Sequence, residues 1–228
     1  MNPRDVFVTG GTGYIGTRLI PRLLSRGHRV RALARSGSVG RVPAGAAVVV
    51  GDALNPDSFA PALRAGDTLV HLVGTPHPSP SKAEEFVRVD LASARATVGA
   101  ARRAGIAHLV FVSVAQPAPV MHAYVAARAE AERAIAGAGL TATVLRPWYV
   151  LGPGHRWPLL LVPIYACARL VPSWRAGAQR LGLVTLPQMI DALVRAVEDR
   201  PPAGTRRVVD VPAIRATVHR NGDAPDTT

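Results

Sequence analysis

Along the chain, short apolar runs rich in β-branched residues alternate with longer stretches whose apolar residues recur every three or four positions. That alternation is how parallel strands joined by crossover helices read. It predicts strands at Asp5–Thr9, Arg29–Ala34, Ala47–Val50, Thr68–Leu72, His108–Ser113, Thr141–Leu145 and Arg207–Val211. Helices are predicted at about Tyr14–Ser25, Lys82–Ala104, Met121–Ala136 and Pro187–Asp199. Gly27, Gly105 and Gly137 stand as helix stops, Pro187 suits a first helical turn, and Pro201 follows the end of the last helix. No repeat or low-complexity linker divides the chain, and the tail after Pro212 is expected to fray.

The first predicted strand runs straight into Thr9-Gly10-Gly11-Thr12-Gly13-Tyr14-Ile15-Gly16. A strand that ends in glycines and turns at once into a helix aims backbone N–H groups and the positive end of a helix dipole at one spot, which suits a pyrophosphate. Gly10 allows the tight turn, Gly13 lets the main chain approach phosphates without a Cβ, and Gly16 lets the helix pack closely. Other polar residues fall where such a sheet binds ligands, beyond the carboxyl ends of its strands. Arg35 and Ser36 follow the second strand, where many dinucleotide sites carry an acid for the ribose hydroxyls. An arginine there pairs with a 2′-phosphate and favours NADP(H), with NAD(H) as the alternative and a solvated surface charge as the plain reading. Asp52, after the third strand, is either an acceptor for an adenine amino group or a turn aspartate.

With 228 residues, 48% hydrophobic and 18% charged, the chain can bury one substantial core, or a main domain with a small appendage. The formal charge of +12 raises nucleic acid as a partner, yet Lys82 is the only lysine and the arginines are scattered as singles and pairs. Compositional bias explains such a spread better than a nucleic-acid face does. One cysteine, Cys167, requires no oxidising compartment, and the early first strand leaves no room for a secretory signal, so a cytoplasmic setting is expected. The apolar stretch from Trp157 to Val171 falls short of the roughly 20 residues a bilayer span needs, and Pro158, Pro163 and Arg169 interrupt it. A helix covering a pocket is the first reading there, and peripheral membrane contact the second. The dispersed histidines and the lack of an HExxH pattern predict no metal site.

Taken together these residues resemble the atypical branch of the short-chain dehydrogenase/reductase superfamily, which includes NmrA-like proteins and the reductase-like accessory subunit of respiratory complex I. The landmarks are TGGTGYIG at 9–16, GDALNPDSF at 51–59, HLVG at 71–74, VDLASARATVGAARRAGIAHLVFVSVA at 89–115, AYVAARAEAE at 123–132, LRPWYVLGPG at 145–154 and LGLVTLPQMIDALVRAVE at 181–198. The resemblance implies an α/β, Rossmann-type doubly wound parallel sheet with a small C-terminal substrate-binding segment. The division expected is a dinucleotide-binding core over 1–147, a substrate segment over 148–212 and a frayed tail over 213–228. It also implies a nicotinamide dinucleotide held by Gly10, Thr12, Gly13, Tyr14, Ile15, Gly16, Arg35, Ser36, Asp52, Ala53, Leu72, Val73, Gly74 and Pro147.

The chemistry implied is hydride transfer assisted by a tyrosine that exchanges the hydroxyl proton, a lysine four residues later and a serine or threonine that orients the carbonyl. Tyr124 takes the tyrosine position, but four residues on stands Arg128, bulkier and permanently charged. Ser113 is the family's serine, while the adjacent position, reactive Ser or Thr in sugar-nucleotide enzymes, is Val114. Asp90 stands where those enzymes usually have asparagine. On this resemblance, Arg128→Lys is expected to restore the family geometry and preserve or increase turnover in an active reductase, and to show no useful turnover in a sensor or assembly protein. Plain readings stand beside these: Tyr124 as a packing residue, Ser113 as a strand-end cap, Arg128 paired on the surface with Glu132. His77 and His122 are secondary acid/base candidates. Trp148, Tyr149, His155 and Trp157 are expected to wall a pocket for a small carbonyl, quinone or isoprenoid-like molecule. The readings that follow are an NADP(H)-dependent oxidoreductase, a cofactor-binding sensor or assembly protein without turnover, and a sugar-nucleotide epimerase or dehydratase. Val114 and the short Ser113-to-Tyr124 spacing disfavour the last, and the sequence does not set the oligomeric state.

Overall fold

The computed structural model describes residues 2–153 and 181–217. His155, Trp157, Cys167 and the stretch 157–171 lie outside the described residues, as does the chain beyond 217. Seven parallel strands form one sheet in the order β3-β2-β1-β4-β5-β6-β9: β1 is Asp5–Thr9, β2 Arg29–Ala34, β3 Ala47–Val50, β4 Thr68–His71, β5 His108–Val112, β6 Ala142–Leu145 and β9 Arg206–Val209. Strands β7 (Tyr149–Leu151) and β8 (Leu183–Thr185) pair with each other in a separate parallel ribbon. The principal helices are α1 (Gly16–Ser25), α3 (Ala92–Ala104), α4 (His122–Gly137), α5 (Leu186–Glu198) and α6 (Val211–Ala216). A short α2 (Ala83–Glu85) and a π-helical turn, Phe86–Leu91, lead into α3.

Side chains along a strand point alternately to the two faces, so a strand buried on both sides needs apolar residues throughout. β1 shows this directly. Val6 and Val8 enter one core with Leu19, Ile20 and Leu23 of α1 and Met189, Leu193 and Val197 of α5. Phe7 enters the other, with Phe59, Phe86, Phe111 and the inward faces of α3 and α4. Each such fully buried side chain contributes about 1.5–3 kcal/mol relative to exposure. Helices on both faces make the sheet doubly wound, as the resemblance implies. Strand order reverses between β1 and β4, where Thr9 lies opposite His71, and this opens the crevice in which such sheets receive ligands. No helix among the described residues is long and apolar enough to cross a membrane.

Several boundaries differ from the sequence expectation for identifiable reasons. β4 ends at His71 and β5 at Val112, so Leu72 and Ser113 belong to the loops over the crevice. α1 starts at Gly16 because residues 14–15 are still in the glycine turn. The expected helix over 82–104 is interrupted by the π turn, which buries Phe86, Asp90 and Leu91 together. α4 runs through Gly137 and the left-handed residue is Gly139, at φ +67°. Past Pro212 the described residues continue as a helix to Ala216. The Asp210 carboxylate accepts from Ala213 N–H at 3.1 Å, and α6 buries Val211 and Ile214.

Candidate functional site

The glycine turn has the geometry that its residue types demand. Gly10 is left-handed at φ +74°, and a Cβ there would lie 2.8 Å from the Leu72 carbonyl carbon. A Cβ on Gly16 would overlap the Gly10 carbonyl oxygen and lie 2.6 Å from Gly11 Cα. Gly13 is exposed and would meet only the Gly10 carbonyl oxygen, at 3.3 Å. Gly10 therefore lets the turn pack on the Leu72 backbone after β4, Gly16 lets α1 close onto Gly10 and Gly11, and Gly13 keeps one side of the turn bare. α1 begins with no side-chain cap and no acidic residue in its first turn. An uncapped helix N-terminus beside a bare backbone fits a phosphate group.

The remaining residues expected to hold a dinucleotide ring this turn at the carboxyl ends of the strands. Tyr14, Ile15, Leu72 and Trp148 are half-buried against the same core face. The Tyr14 hydroxyl sits close against Gly152, which joins the segment after β6 to the turn, while the Arg18 guanidinium covers the Tyr14 ring at 4.5 Å. Trp148 and Tyr149 meet edge to face at 5.3 Å, and the Pro147 carbonyl accepts from Ala115 N–H at 2.8 Å. Arg35 and Ser36 are exposed after β2, and the Arg35 guanidinium has no ion pair or hydrogen bond among the described residues. Asp52 forms a turn, its carboxylate accepting from Leu54 N–H at 2.9 Å, yet it stays exposed beside half-buried Ala53.

The arrangement around Tyr124 differs from expectation in a way that changes its chemistry. Arg128 is not on the surface with Glu132; it is buried. The i,i+4 face of α4 packs on the sheet end, which sends the two side chains to different partners. Arg128 Nη2 donates to Asp90 Oδ1 at 2.6 Å, and Nη1 donates to the Val112 carbonyl at 3.0 Å. The Tyr124 and Phe111 ring centroids lie 5.3 and 5.7 Å from its guanidinium carbon, within cation–π range. Burial alone disfavours the charge, but the Tyr124 hydroxyl and Asp90 carboxylate outweigh it and raise the Arg128 pKa above its ordinary value. Arg128 Nε has no hydrogen-bond partner among the described residues, an arrangement that costs about 1–3 kcal/mol.

Asp90 is fully held: Thr75 donates to its Oδ2 from both N–H, at 2.9 Å, and Oγ1, at 2.6 Å. Asp90 and Arg128, two separate departures in the sequence, are thus one ion pair. The contribution of Thr75 is not visible in the sequence, since nothing there marks which hydroxyl follows the strand closely enough to bind Asp90. Gly74 makes the pair possible, because a Cβ on it would overlap Arg128 Nη2 and lie 3.2 Å from Asp90 Oδ1.

Ser113 is turned elsewhere. Its hydroxyl donates to buried Glu132 at 2.6 Å, and Glu132 also accepts from Gln116 Nε2 at 2.7 Å and from Arg146 Nη2 at 2.5 Å. The neighbouring Val114 is buried. Tyr124 remains half-buried against Phe86, with ring centroids 4.9 Å apart. His77 and His122 are exposed, on the loop after β4 and in the first turn of α4. A histidine absent from the expected site, His71, lies beneath it: Thr9 and Thr97 bond its Nδ1 at 2.9 and 3.0 Å. Burial, and then the charge of Arg128, push its pKa down to about 3.

Residues 10–155 match the NAD(P)H-binding family. Over 235 residues the chain is 30% identical to a 3-diazoavenalumate denitrifying reductase of a Streptomyces species, covering 91% of this chain and 77% of that one. It is also 30% identical to a ceramide reductase of Caulobacter vibrioides, over 73% of this chain and 53% of that protein. A farnesyl-dihydroquinoline-oxide ketoreductase of Stigmatella aurantiaca is 31% identical over 64% of this chain and 50% of its own length. The chain therefore spans between half and about three quarters of these relatives. Among solved structures, a UDP-glucose 4-epimerase from Thermus thermophilus bound to NAD superposes at a TM-score of 0.65 with 19% identity, covering 98% of this chain and 85% of that one. MoeE5 in complex with UDP-glucose and NAD gives 0.65 with 23% identity, over 96% and 82%. By its glycine turn and these matches, the chain belongs to the NAD(P)H-binding family, and its doubly wound sheet is the fold of the NAD-bound structures it superposes on.

Proposed function

We propose that this protein is an NADP(H)-dependent oxidoreductase acting on a small carbonyl, quinone or isoprenoid-like compound. The observation that carries this reading is the placement of the Arg128 charge beside Tyr124, at the carboxyl end of β5 and next to the β1–β4 crevice. Gly10, Gly13 and Gly16 with the N-terminus of α1 would hold the pyrophosphate, and Arg35 with Ser36 a 2′-phosphate. A dihydronicotinamide bound there would supply a hydride, a proton with two electrons, to the carbonyl carbon. The Tyr124 hydroxyl gives its proton to the carbonyl oxygen, and Arg128 stabilises the tyrosinate left behind until solvent returns the proton. Because Arg128 holds its own proton throughout, it acts by charge alone. Ser113, having given its hydrogen to Glu132, has only acceptor lone pairs to offer a substrate. The substrate breadth is supported by the reductase and ketoreductase names of the relatives, two of which describe ceramide and farnesyl compounds.

A second reading, a cofactor-binding sensor or assembly protein without turnover, draws on one observation. The Ser113 hydroxyl and buried Val114 leave the end of β5 without a free hydroxyl donor for a carbonyl. NADPH titration together with NADPH consumption over a panel of quinones, aldehydes and long-chain ketones decides between them. Binding with turnover of at least one compound is the expected result, and tight binding with no turnover across the panel would transfer the case to the sensor.

A further inference from the structure

We propose that Asp90 and Gly74 are positioning residues that hold the Arg128 guanidinium against Tyr124, so that positions 74, 90 and 128 work only as a set. This rests on the reading of Tyr124 as proton donor. Asp90 and Arg128 lie far apart in sequence, on the π turn before α3 and on α4, yet they meet at 2.6 Å in a place from which solvent is excluded. A buried charge whose partner is removed is strongly destabilising, so neither residue tolerates loss of the other.

The geometry goes beyond charge balance. Arg128 reaches Asp90 and the Val112 carbonyl with separate nitrogens, a planar fork that a lysine ammonium cannot reproduce from its single point. Asp90 is itself fixed by two donors from Thr75, and the π turn brings it inward. π turns inserted in helices recur at functional sites. The space that the guanidinium occupies exists because residue 74 lacks a Cβ. Such a fixed cation beside one ring is what an acid–base tyrosine needs from its surroundings. A single ammonium there keeps the charge but cannot serve Asp90 and the Val112 carbonyl from separate nitrogens, so Arg128→Lys alone is expected to lose turnover.

The test uses the full chain with Asp90→Asn, Arg128→Lys, the double variant Asp90→Asn/Arg128→Lys, and Gly74→Ala. Thermal midpoints are measured without cofactor, NADPH affinity by titration, and kcat and KM with whichever panel compound is reduced. Asp90→Asn and Arg128→Lys each lower the midpoint by about 6–20 °C. Each also lowers kcat by about 10–100-fold with KM within about threefold. The double variant loses less than the sum of the two single losses, because the two residues act on one shared interaction that either substitution already breaks. Gly74→Ala keeps both charges yet displaces the guanidinium, and lowers kcat in the same range. Values of kcat within twofold of wild type for Asp90→Asn and Gly74→Ala would reduce the cluster to packing and overturn the proposal. So would single losses that simply add in the double variant. A wild-type chain without turnover sinks the reductase reading instead. The pairing is then judged on the cofactor-free midpoints, where additive losses overturn it and less-than-additive losses in the double variant uphold the set.

Discussion

Arg128 stays charged because the Tyr124 hydroxyl and Asp90 carboxylate outweigh the cost of burying it, and that charge reaches down to His71 as well. His71 and His108 are both fully buried, and burial first, then nearby arginines, push each pKa from 6.5 to about 3. In the unfolded chain both bind protons as pH falls through about 6.5, whereas the folded chain refuses them until about pH 3. Stability is therefore fully present above 6.5 and declines as pH falls, by up to about 1.4 kcal/mol per pH unit for each histidine. Thermal midpoints between pH 7 and 5 should drop, and His108→Gln should show a shallower drop; a flat profile, or the same slope in the variant, would refute this account of the buried histidines. Arg35 makes the other residue-scale prediction, since its guanidinium is exposed after β2 with no ion pair among the described residues. Arg35→Asp removes a charge-assisted phosphate contact worth about 1.5–3 kcal/mol and adds repulsion. The ratio of NADPH to NADH affinity should fall accordingly, and an unchanged ratio on titration of both cofactors would remove Arg35 from the site.

At the scale of elements, the β1–α1 turn was legible because its function depends on missing atoms. Glycine spacing announces where Cβ would clash, and the structure places those clashes at Gly10 and Gly16 while leaving Gly13 bare. Gly13→Val should therefore leave the fold intact and abolish dinucleotide binding, checked by circular dichroism and NADPH titration. A folded variant that still binds would put the phosphates elsewhere. α4 was legible as a helix but not in its orientation. The i,i+4 spacing of Arg128 and Glu132 is that of a surface pair, and only tertiary packing shows that this face is buried and splits toward Asp90 and Ser113. The π turn carries no distinct pattern, since one extra residue in a helix barely alters its apolar spacing. The β7–β8 ribbon pairs two three-residue segments far apart in the chain, which is too little for periodicity to register.

For the whole molecule, the alternation of apolar runs and amphipathic stretches is enough to read a parallel sheet covered on both faces, because each strand must bury two sides. Strand order follows from how the crossovers close and was not legible residue by residue. The scattered arginines become clearer in the fold. Several anchor buried or half-buried acids, as Arg31 does Asp67 at 2.6 Å and Arg26 does Glu198 at 2.8 Å, so much of the positive charge is structural. The glycine turn, the Asp90–Arg128 pair and Tyr124 meet from the two faces at the carboxyl end of the sheet, beside the crevice at the strand reversal. Turnover by Tyr124→Phe in the NADPH consumption assay tests that convergence most directly. The variant should keep NADPH affinity close to wild type and lose about 10²–10⁴-fold in kcat, the usual contribution of a positioned acid. Activity within a factor of two of wild type would contradict the account and return Tyr124 to a packing role against Phe86.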